Sequence, residues 1–421
     1  MKFKPYWQAT APAFAGGVGG DISGHFDVAV VGGGFTGLSA ARHLAKAGAK
    51  VVVLEAEEVG SGASGRNGGH LNNGLAHSFL SAKASLGKER AIALYRALDD
   101  AVDTVERIVG EEKIDCSFRR SGKLKLASKP THFEQIARNF EAIHREVDPD
   151  TALLTAADLR SEIGSSDFHG AMLSKKSAMM HMGRFVAGLA DAAVRHGVLV
   201  CEHARVTART QAGGRHELTT ARGTVTASNV LVATGAYTSG PFGWFRRRLV
   251  PVGSFIIATR PLSTEEIAAT VPGNRTFVTS LNIGNYFRLS PDNRLIFGGR
   301  ARFSATSDQT SDKKSGAILQ ESLLNMFPQL AGTEIDYCWG GLVDMTKDRY
   351  PRAGFSDGMF FAMGYSGHGA QMSTHMGIVM ADIMLGRADR SPLAGLDWPA
   401  IPGHLGKPWF LPMVGMYYKM L

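Results

Sequence analysis

Two glycine-dense segments carry the residues best suited to chemistry. The first is Gly32-Gly33-Gly34-Phe35-Thr36-Gly37, which satisfies the pattern GxGxxG. Its glycines allow a tight turn, a close approach of backbone to a pyrophosphate, and tight packing of a helix on the preceding strand. A helix opening at Thr36 and Gly37 aims free N–H groups and its positive end at phosphate oxygens. Glu55 follows about twenty residues on, where an acid hydrogen-bonds a ribose hydroxyl, and this favours FAD or NAD over a 2′-phosphorylated dinucleotide. The second segment is Gly62-Ala63-Ser64-Gly65-Arg66-Asn67-Gly68-Gly69-His70. It is dense in backbone N–H groups and small side chains, with one fixed cation, and such a loop can lie across a second phosphate and beneath a flat ring.

These segments need elements to hold them. Val28 to Val31 is an apolar run that stops at the first glycine turn, and Leu38, Ala41 and Leu44 continue as a helix closed by Gly48. Val51 to Leu54 then forms a second buried strand ending at Glu55, so the whole is one βαβ unit. Further on, the pattern predicts helices over 86–110, 131–146, 184–196 and 370–386. It predicts strands at 122–127, 198–201 and 229–234. From 249 to 303, short strands alternate with turn signals, and Pro291-Asp292-Asn293 reads as a hairpin turn. Parallel elements at the start, middle and end, with mixed β material between them, predict an α/β plus α+β fold. In it a Rossmann-like dinucleotide domain is assembled from discontinuous segments 1–112, 172–245 and 333–421. A substrate domain on a mixed or antiparallel sheet is inserted as 113–171 and 246–332.

Composition sets outer bounds. With 421 residues and 44% hydrophobic content the chain can bury the core of two domains. Fifty glycines exceed average usage, and no collagen-like or low-complexity period accounts for them. Cys116, Cys201 and Cys338 are too scattered for a disulfide framework or a CxxC metal site, so no metal is expected. That count suits a reducing compartment, and the N-terminus lacks the apolar core of a secretory signal, so the cytoplasm is the expected location. No run is apolar enough to span a bilayer. The net charge of +8 includes Arg246-Arg247-Arg248, which lacks the aromatic interleaving of a nucleic-acid surface and reads as a solvated basic face. An anionic ligand is compatible with that charge but not established by it.

Five segments in one order carry a resemblance: residues 30–41, 62–69, Val-Ala-Thr-Gly-Ala-Tyr at 232–237, Trp-Gly-Gly at 339–341, and Gly-Tyr-Ser-Gly-His-Gly at 364–369. Together they resemble the D-amino-acid oxidase superfamily of flavoproteins, in the branch similar to gamma-glutamylputrescine oxidase, and Pro5-Tyr6-Trp7 fits the same branch. The likeness covers nearly the whole chain and thins between 110 and 180. It implies non-covalent FAD. Ala233, Thr234 and Gly235 would support the adenosine half, with Val206 facing the adenine. Ala56, Leu71, Trp339 and Gly341 fall in the cofactor-binding stretches. Gly367, His368 and Gly369 would sit at the pyrimidine edge of the ring system, where a helix beginning at Ala370 directs its positive end to the charge of the reduced flavin. Some relatives link the flavin through a histidine or a cysteine. Arg66 matches that histidine, and Cys338 is displaced from the linking position, which aligns near Gly341.

The implied reaction is oxidation of a C–N bond in a small amine or amino acid, with hydride passing to the flavin and the imine then hydrolysed. His70, Tyr286 and His368 are the candidates facing the flavin. Arg288 and Arg300 lie on neighbouring strands and could clamp a carboxylate. Sarcosine-oxidase-like relatives use a lysine to help oxygen react, and the aligned position here is Ile296, so a quinone or carrier protein rivals O2 as electron acceptor. Two other classes stay open: an NAD-dependent dehydrogenase, motivated by the fingerprint alone, and a non-catalytic flavoprotein or partner-binding subunit. The apolar tail Pro408 to Met413, then Tyr417-Tyr418, motivates the last, since it could dock on a membrane or another subunit.

Overall fold

The apolar runs around the first glycine turn become the centre of a twisted, mostly parallel sheet. The structure is a computed structural model that describes residues 1–282, 284–302, 309–387, 391–406 and 408–414; the side chains of 300–302 and 309–312 lie outside that description. Strands are numbered in chain order. In the first sheet, β1 (Gly24–Val31) lies between β2 (Val51–Leu54) and β11 (Gly223–Val232), parallel to both. β8 (Leu199–Cys201) adds in parallel beyond β2, and β18 (Met359–Met363) beyond β11, with β17 (Arg352–Ser356) as an antiparallel edge. An antiparallel pair, β9 (Val206–Ala212) and β10 (Arg215–Thr220), extends from the first half of β11. Val28 to Val31 and Val51 to Leu54 are buried throughout, as parallel strands covered on both faces must be.

The helices Phe35–Lys46 and Gly369–Met384 pack on each other above this sheet. Gly377 permits the approach, because a Cβ there would lie 2.4 Å from the Thr36 carbonyl oxygen. The helix expected over 86–110 is two helices, Phe79–Leu86 and Lys88–Glu112, divided by Gly87 at φ +82°. Only glycine adopts that angle without strain.

The second sheet has the order β16-β12-β15-β14-β13-β4-β6-β5. Its members are β4 (Lys123–Leu126), β5 (Ala152–Thr155), β6 (Gly170–Ser174), β12 (Val250–Pro261), β13 (Thr276–Thr279), β14 (Tyr286–Leu289), β15 (Arg294–Arg302) and β16 (Ile335–Met345). All neighbours are antiparallel except β13 and β4. The turn between β14 and β15 falls at 291–293, with Asn293 at φ +62°. One face stacks Phe277, Phe287 and Phe297 at 5.0 and 5.6 Å in a core of their own. The other face turns Tyr286, Arg288 and Val278 toward the first sheet.

Two boundaries of the sequence division need correction. Residues 335–345, placed with the nucleotide-binding segments, pair antiparallel along their whole length with β12 and so belong to the second sheet. The cut at 172 passes through β6, which pairs with β4 as far as Ser174. A short pair, β3 (His70–Leu71) with β7 (Ala178–Met179), joins the glycine loop to the layer between the sheets. All three cysteines are buried. In the tail, Leu411 is buried while Trp409 and Met413 are 65% and 52% exposed, and Tyr417-Tyr418 lie outside the described residues. Among the described residues no helix is long and apolar enough to cross a membrane.

Candidate active site

The carboxyl end of the first sheet and the polar face of the second enclose a cavity of about 1060 Å³. Both glycine segments meet there, as does the turn before the last long helix. Gly32 takes φ +113°, and a Cβ on it would lie 2.8 Å from the Ala233 carbonyl oxygen. Gly34 has Ser64 Oγ 2.9 Å from the place of its missing Cβ, and Ser64 Oγ accepts the Phe35 N–H at 3.0 Å. Gly37 stands behind the turn, where a Cβ would sit 2.0 Å from the Gly32 carbonyl oxygen. Bare backbone therefore forms this end of the cavity, as a close-fitting phosphate site requires.

Glu55 closes the same end. Its Oε2 accepts the Gly33 N–H at 2.6 Å and its Oε1 the Glu57 N–H at 3.0 Å. Burial lifts its carboxyl above the ordinary range, against the pull of those N–H groups. Ala56, Val206, Ala233, Thr234 and Gly235 line the wall beside it.

The loop from Gly62 to His70 crosses to the second sheet and is braced on several sides. Arg66 donates from Nε to the Ser61 carbonyl at 2.7 Å and from Nη1 to the Gly340 carbonyl at 2.9 Å. Trp339 Nε1 donates to the Arg66 carbonyl at 2.9 Å and Trp7 Nε1 to the Asn67 carbonyl at 2.6 Å. Asn67 turns back on its own loop, donating to the Ser64 carbonyl and accepting the Gly69 N–H, both at 2.9 Å. Gly62, Ala63, Ser64, Arg66, Asn67, Gly68 and His70 all line the cavity.

Several expected residues stand elsewhere. Leu71 and Trp339 are buried in the hydrophobic core beneath the loop. Gly69 also lies behind the surface; its missing Cβ would fall 2.0 Å from an Arg288 nitrogen. Arg288 is no carboxylate clamp. It is 1% exposed and donates to the carbonyls of Gly68, Leu289 and Met180 at 3.2, 3.1 and 2.6 Å, with its guanidinium over Trp7. The side chain of Arg300 lies outside the described residues. Ile296 is fully buried with Tyr337 and Trp339, away from the cavity. Cys338 faces the second core, whereas Gly341 lines the cavity.

Three of the five candidate catalytic residues do meet. Tyr286 lines the cavity, its ring lodged over Gly298, where a Cβ would be 2.5 Å from it, and its hydroxyl 3.4 Å from Ser254 Oγ. His70 stands edge-on to that ring at 5.4 Å. Its Nε2 is 3.3 Å from the Phe287 carbonyl oxygen. His368 occupies the N-cap position of the helix Gly369–Met384, which has no side-chain cap, and lines the cavity with Gly367 and Gly369. Asp344, which the sequence reading missed, also lines the cavity and accepts the Gly364 N–H at 2.6 Å; burial pushes it up to about 6. Its only sequence signal is a lone acid at the end of an apolar strand.

This architecture is that of a flavoprotein. The chain belongs to the DAO family of FAD dependent oxidoreductases, whose family model matches residues 27–383. It is thus an FAD-dependent oxidoreductase of the amine and amino-acid type. Among its relatives is a probable oxidoreductase OrdL of Haemophilus influenzae, 34% identical over 406 residues, 94% of this chain and 92% of that one. The gamma-glutamylputrescine oxidoreductase of Escherichia coli K12 is also 34% identical, over 400 residues, with the same shares covered. In three dimensions the chain superposes on glycine oxidase from Geobacillus kaustophilus with a TM-score of 0.75 at 23% identity, over 90% of this chain and all of that one.

Proposed function

We propose that this enzyme oxidises the C–N bond of a small amine of the gamma-glutamyl-amine type, with FAD held non-covalently. Bound FAD supplies the two-electron acceptor for the hydride that leaves the amine-bearing carbon. In this reading the turn at Gly32 to Gly37 holds the pyrophosphate, Glu55 the ribose, and Val206 with Ala233 to Gly235 the adenosine. The loop from Gly62 to His70 lies under the ring system, and Gly367 to Gly369 meet its pyrimidine edge. Gly341, where linked relatives carry cysteine, offers no nucleophile.

The observation that carries the substrate class is the neutrality of the wall opposite. Ser254, Ile256, Val278, Asn282 and Tyr286 line it, and His70 stays neutral because burial pushes it down to about 3. Arg288 spends its donors on backbone. Among the described residues that wall offers no carboxylate clamp, although Arg349 lines the same cavity from the loop before β17, and the wall's own neutrality favours an ω-amine over an α-amino acid. The E. coli relative, a gamma-glutamylputrescine oxidoreductase, supports the same choice. A desolvated wall also selects the neutral amine, which is the form that can lose hydride.

Anaerobic mixing with a panel of gamma-glutamyl amines, N-methyl amino acids, D-amino acids and opine-like compounds tests this. Gamma-glutamyl amines are expected to bleach the flavin fastest; faster bleaching by any amino acid oxidised at its own α-carbon rejects the assignment. For the electron acceptor, no lysine is among the described residues that line the cavity, which favours a quinone or carrier protein over O2. Exposed Trp409 and Met413 offer such a partner, or a membrane surface, a place to dock. Slow recovery of colour in air, with rapid recovery on adding a soluble quinone, is the expected outcome.

A further inference from the structure

Three arginines line the main cavity among its described residues, and two of them are already engaged. Arg66 donates to the carbonyls of Ser61 and Gly340. Arg205 pairs with Glu57 at 2.5 Å and donates to Ser239 Oγ at 3.1 Å, beside Val206 at the end proposed for adenosine. The third, Arg349, is exposed, and among the described residues its guanidinium meets only His77 Nδ1, at 3.4 Å. Asp348, its neighbour in sequence, pairs instead with Arg352 at 2.5 Å. A cation whose donors are mostly open to a ligand cavity suits an anion, and the planar fork of a guanidinium suits a carboxylate.

The backbone and one imidazole hold this arginine in place. It sits in the turn between β16 and β17 at φ +59°, a region that side chains rarely adopt, with its N–H on the Thr346 carbonyl at 3.2 Å. Thr346 Oγ1 closes the same turn on the Tyr350 carbonyl at 2.9 Å. His77 approaches from the loop that follows His70. Its Nε2 lies 2.6 Å from the Asp348 carbonyl oxygen, and its ring rests 4.8 Å from that of Tyr350. A carbonyl only accepts and a guanidinium only donates, so the ring proton is on Nε2 and Nδ1 receives the Arg349 N–H. Burial, then the charge of Lys123 and more weakly those of Lys125 and Arg349, holds His368 down to about 4, so the Arg349 guanidinium lies within electrostatic reach of His368. The wall of Ser254, Ile256 and Tyr286 comes from other strands and bears no charge. One continuous cavity thus holds both a neutral wall and a separate cation.

We propose that Arg349 is a specificity-determining residue of the amine site: it receives the carboxylate that the substrate carries away from its reacting carbon, and His77 is the positioning residue that orients it. The inference rests on the gamma-glutamyl-amine reading and narrows it. In such a substrate the carboxylate belongs to the glutamyl α-carbon, at the end opposite the amine that is oxidised. The neutral wall takes the amine end and the arginine takes the acid end. A single charge is then enough to fix the direction in which the molecule enters, and an amine without the remote carboxylate loses that guidance.

The test compares, on the FAD-loaded full chain, a gamma-glutamyl diamine with its α-carboxamide, which has the same shape without the negative charge. The ratio of their kcat/KM values should favour the carboxylate by about fivefold or more, the worth of a charge-assisted pair at a partly solvated site. Arg349→Gln should bring the ratio close to one, and Arg349→Lys, which keeps the charge but not the fork, should retain part of it. His77→Phe keeps a ring against Tyr350 but accepts nothing; it should lower the ratio through the KM of the carboxylate-bearing amine rather than through kcat. A ratio near one in the unmodified enzyme overturns the assignment with no variant needed. So does a ratio that Arg349→Gln leaves unchanged, including the case in which both values fall together because the arginine serves the flavin instead. Bleaching by another class of amine, and by neither of these two, rejects the gamma-glutamyl reading itself and this inference with it.

Discussion

His70 and His368 reach the cavity from opposite ends of the chain, yet both imidazoles are held far below their ordinary value. For His70 the cause is burial first and the charge of Arg288 second, bringing it to about 3. For His368 it is burial first and Lys123 second, bringing it to about 4. Neither titrates between pH 5 and 10, so neither serves as a proton acceptor whose state changes over the working range. The proton lost before oxidation is then the substrate's own, and an alkyl ammonium has its pKa near 10.4. The expected profile of kcat/KM rises about tenfold per pH unit from roughly pH 7 to 9, and His70→Asn lowers its level without changing its slope. An inflection near pH 6.5 that vanishes in the variant contradicts the assignment. At this scale the sequence was informative where chemistry is local. The glycine turn and Glu55 lie within one βαβ unit, and both appear in the cavity. Arg288 misled because its partners Gly68 and Met180 are 220 and 108 residues away, and no local pattern shows that a guanidinium is already occupied.

Among the elements, two glycines at opposite ends of one helix give a matched comparison. Gly37 lies in the first turn of the helix Phe35–Lys46 and leaves no space for a side chain, since its Cβ would meet the Gly32 carbonyl oxygen and Val30 at 2.0 and 2.9 Å. Gly48 follows the helix at φ +93° with nothing within 4 Å. Gly37→Ala should push the helix off β1 and yield protein with little or no flavin. Gly48→Ala should keep its flavin and lose about 1 kcal/mol of stability from the left-handed backbone alone. Flavin-to-protein absorbance ratios decide the matter, and equal flavin content in the two variants counts against the proposed turn. At the start of the helix Met182–Arg195, the Arg184 N–H donates to His181 Nδ1 at 3.2 Å, so the ring proton sits on Nε2, 2.9 Å from Thr10 Oγ1. Burial and then the charge of Arg184 push His181 down to about 4. Because its folded pKa lies below the unfolded value near 6.5, the unfolded chain binds more protons between those values. Stability from this residue is therefore complete above pH 6.5 and is lost as pH falls toward 4. The loss should reach about 1–2 kcal/mol at pH 5, and His181→Asn, which keeps an N-cap acceptor, should show a shallower fall in melting temperature. Parallel melting curves for the two proteins across this range reject the assignment. Helices and the first strands were legible because their periodicity is local. The membership of β16 was not, since position in the chain does not dictate position in a sheet, and a strand following a long helix can return to either layer.

Across the whole molecule, the loop from Gly62 to His70 is the joint between the two sheets. It receives Trp7 from the N-terminal helix, Trp339 from β16 and Arg288 from β14, while Arg66 reaches back to Gly340. A dinucleotide filling the cavity contacts residues from both sheets, so its binding energy adds to the stability of the whole rather than of one layer. A ligand that binds only the folded state stabilises it by about 2.7 kcal/mol at one hundred times its Kd and by about 1.4 kcal/mol more for each further tenfold. For a chain of this size each kcal/mol is worth about 1–2 °C. Protein stripped of flavin should therefore melt lower, and its Tm should climb evenly with the logarithm of added FAD. Added NAD should produce no climb. Trp7→Phe removes the bond to the Asn67 carbonyl while filling most of the indole's space. It should displace the FAD series to roughly tenfold higher concentration, the effect of about 1.4 kcal/mol, and lower the flavin-free Tm by only a few degrees. A series that responds to NAD as it does to FAD removes the flavin from this cavity. An unshifted series for Trp7→Phe leaves the N-terminal helix as packing alone, with no part in holding the loop proposed to carry the cofactor.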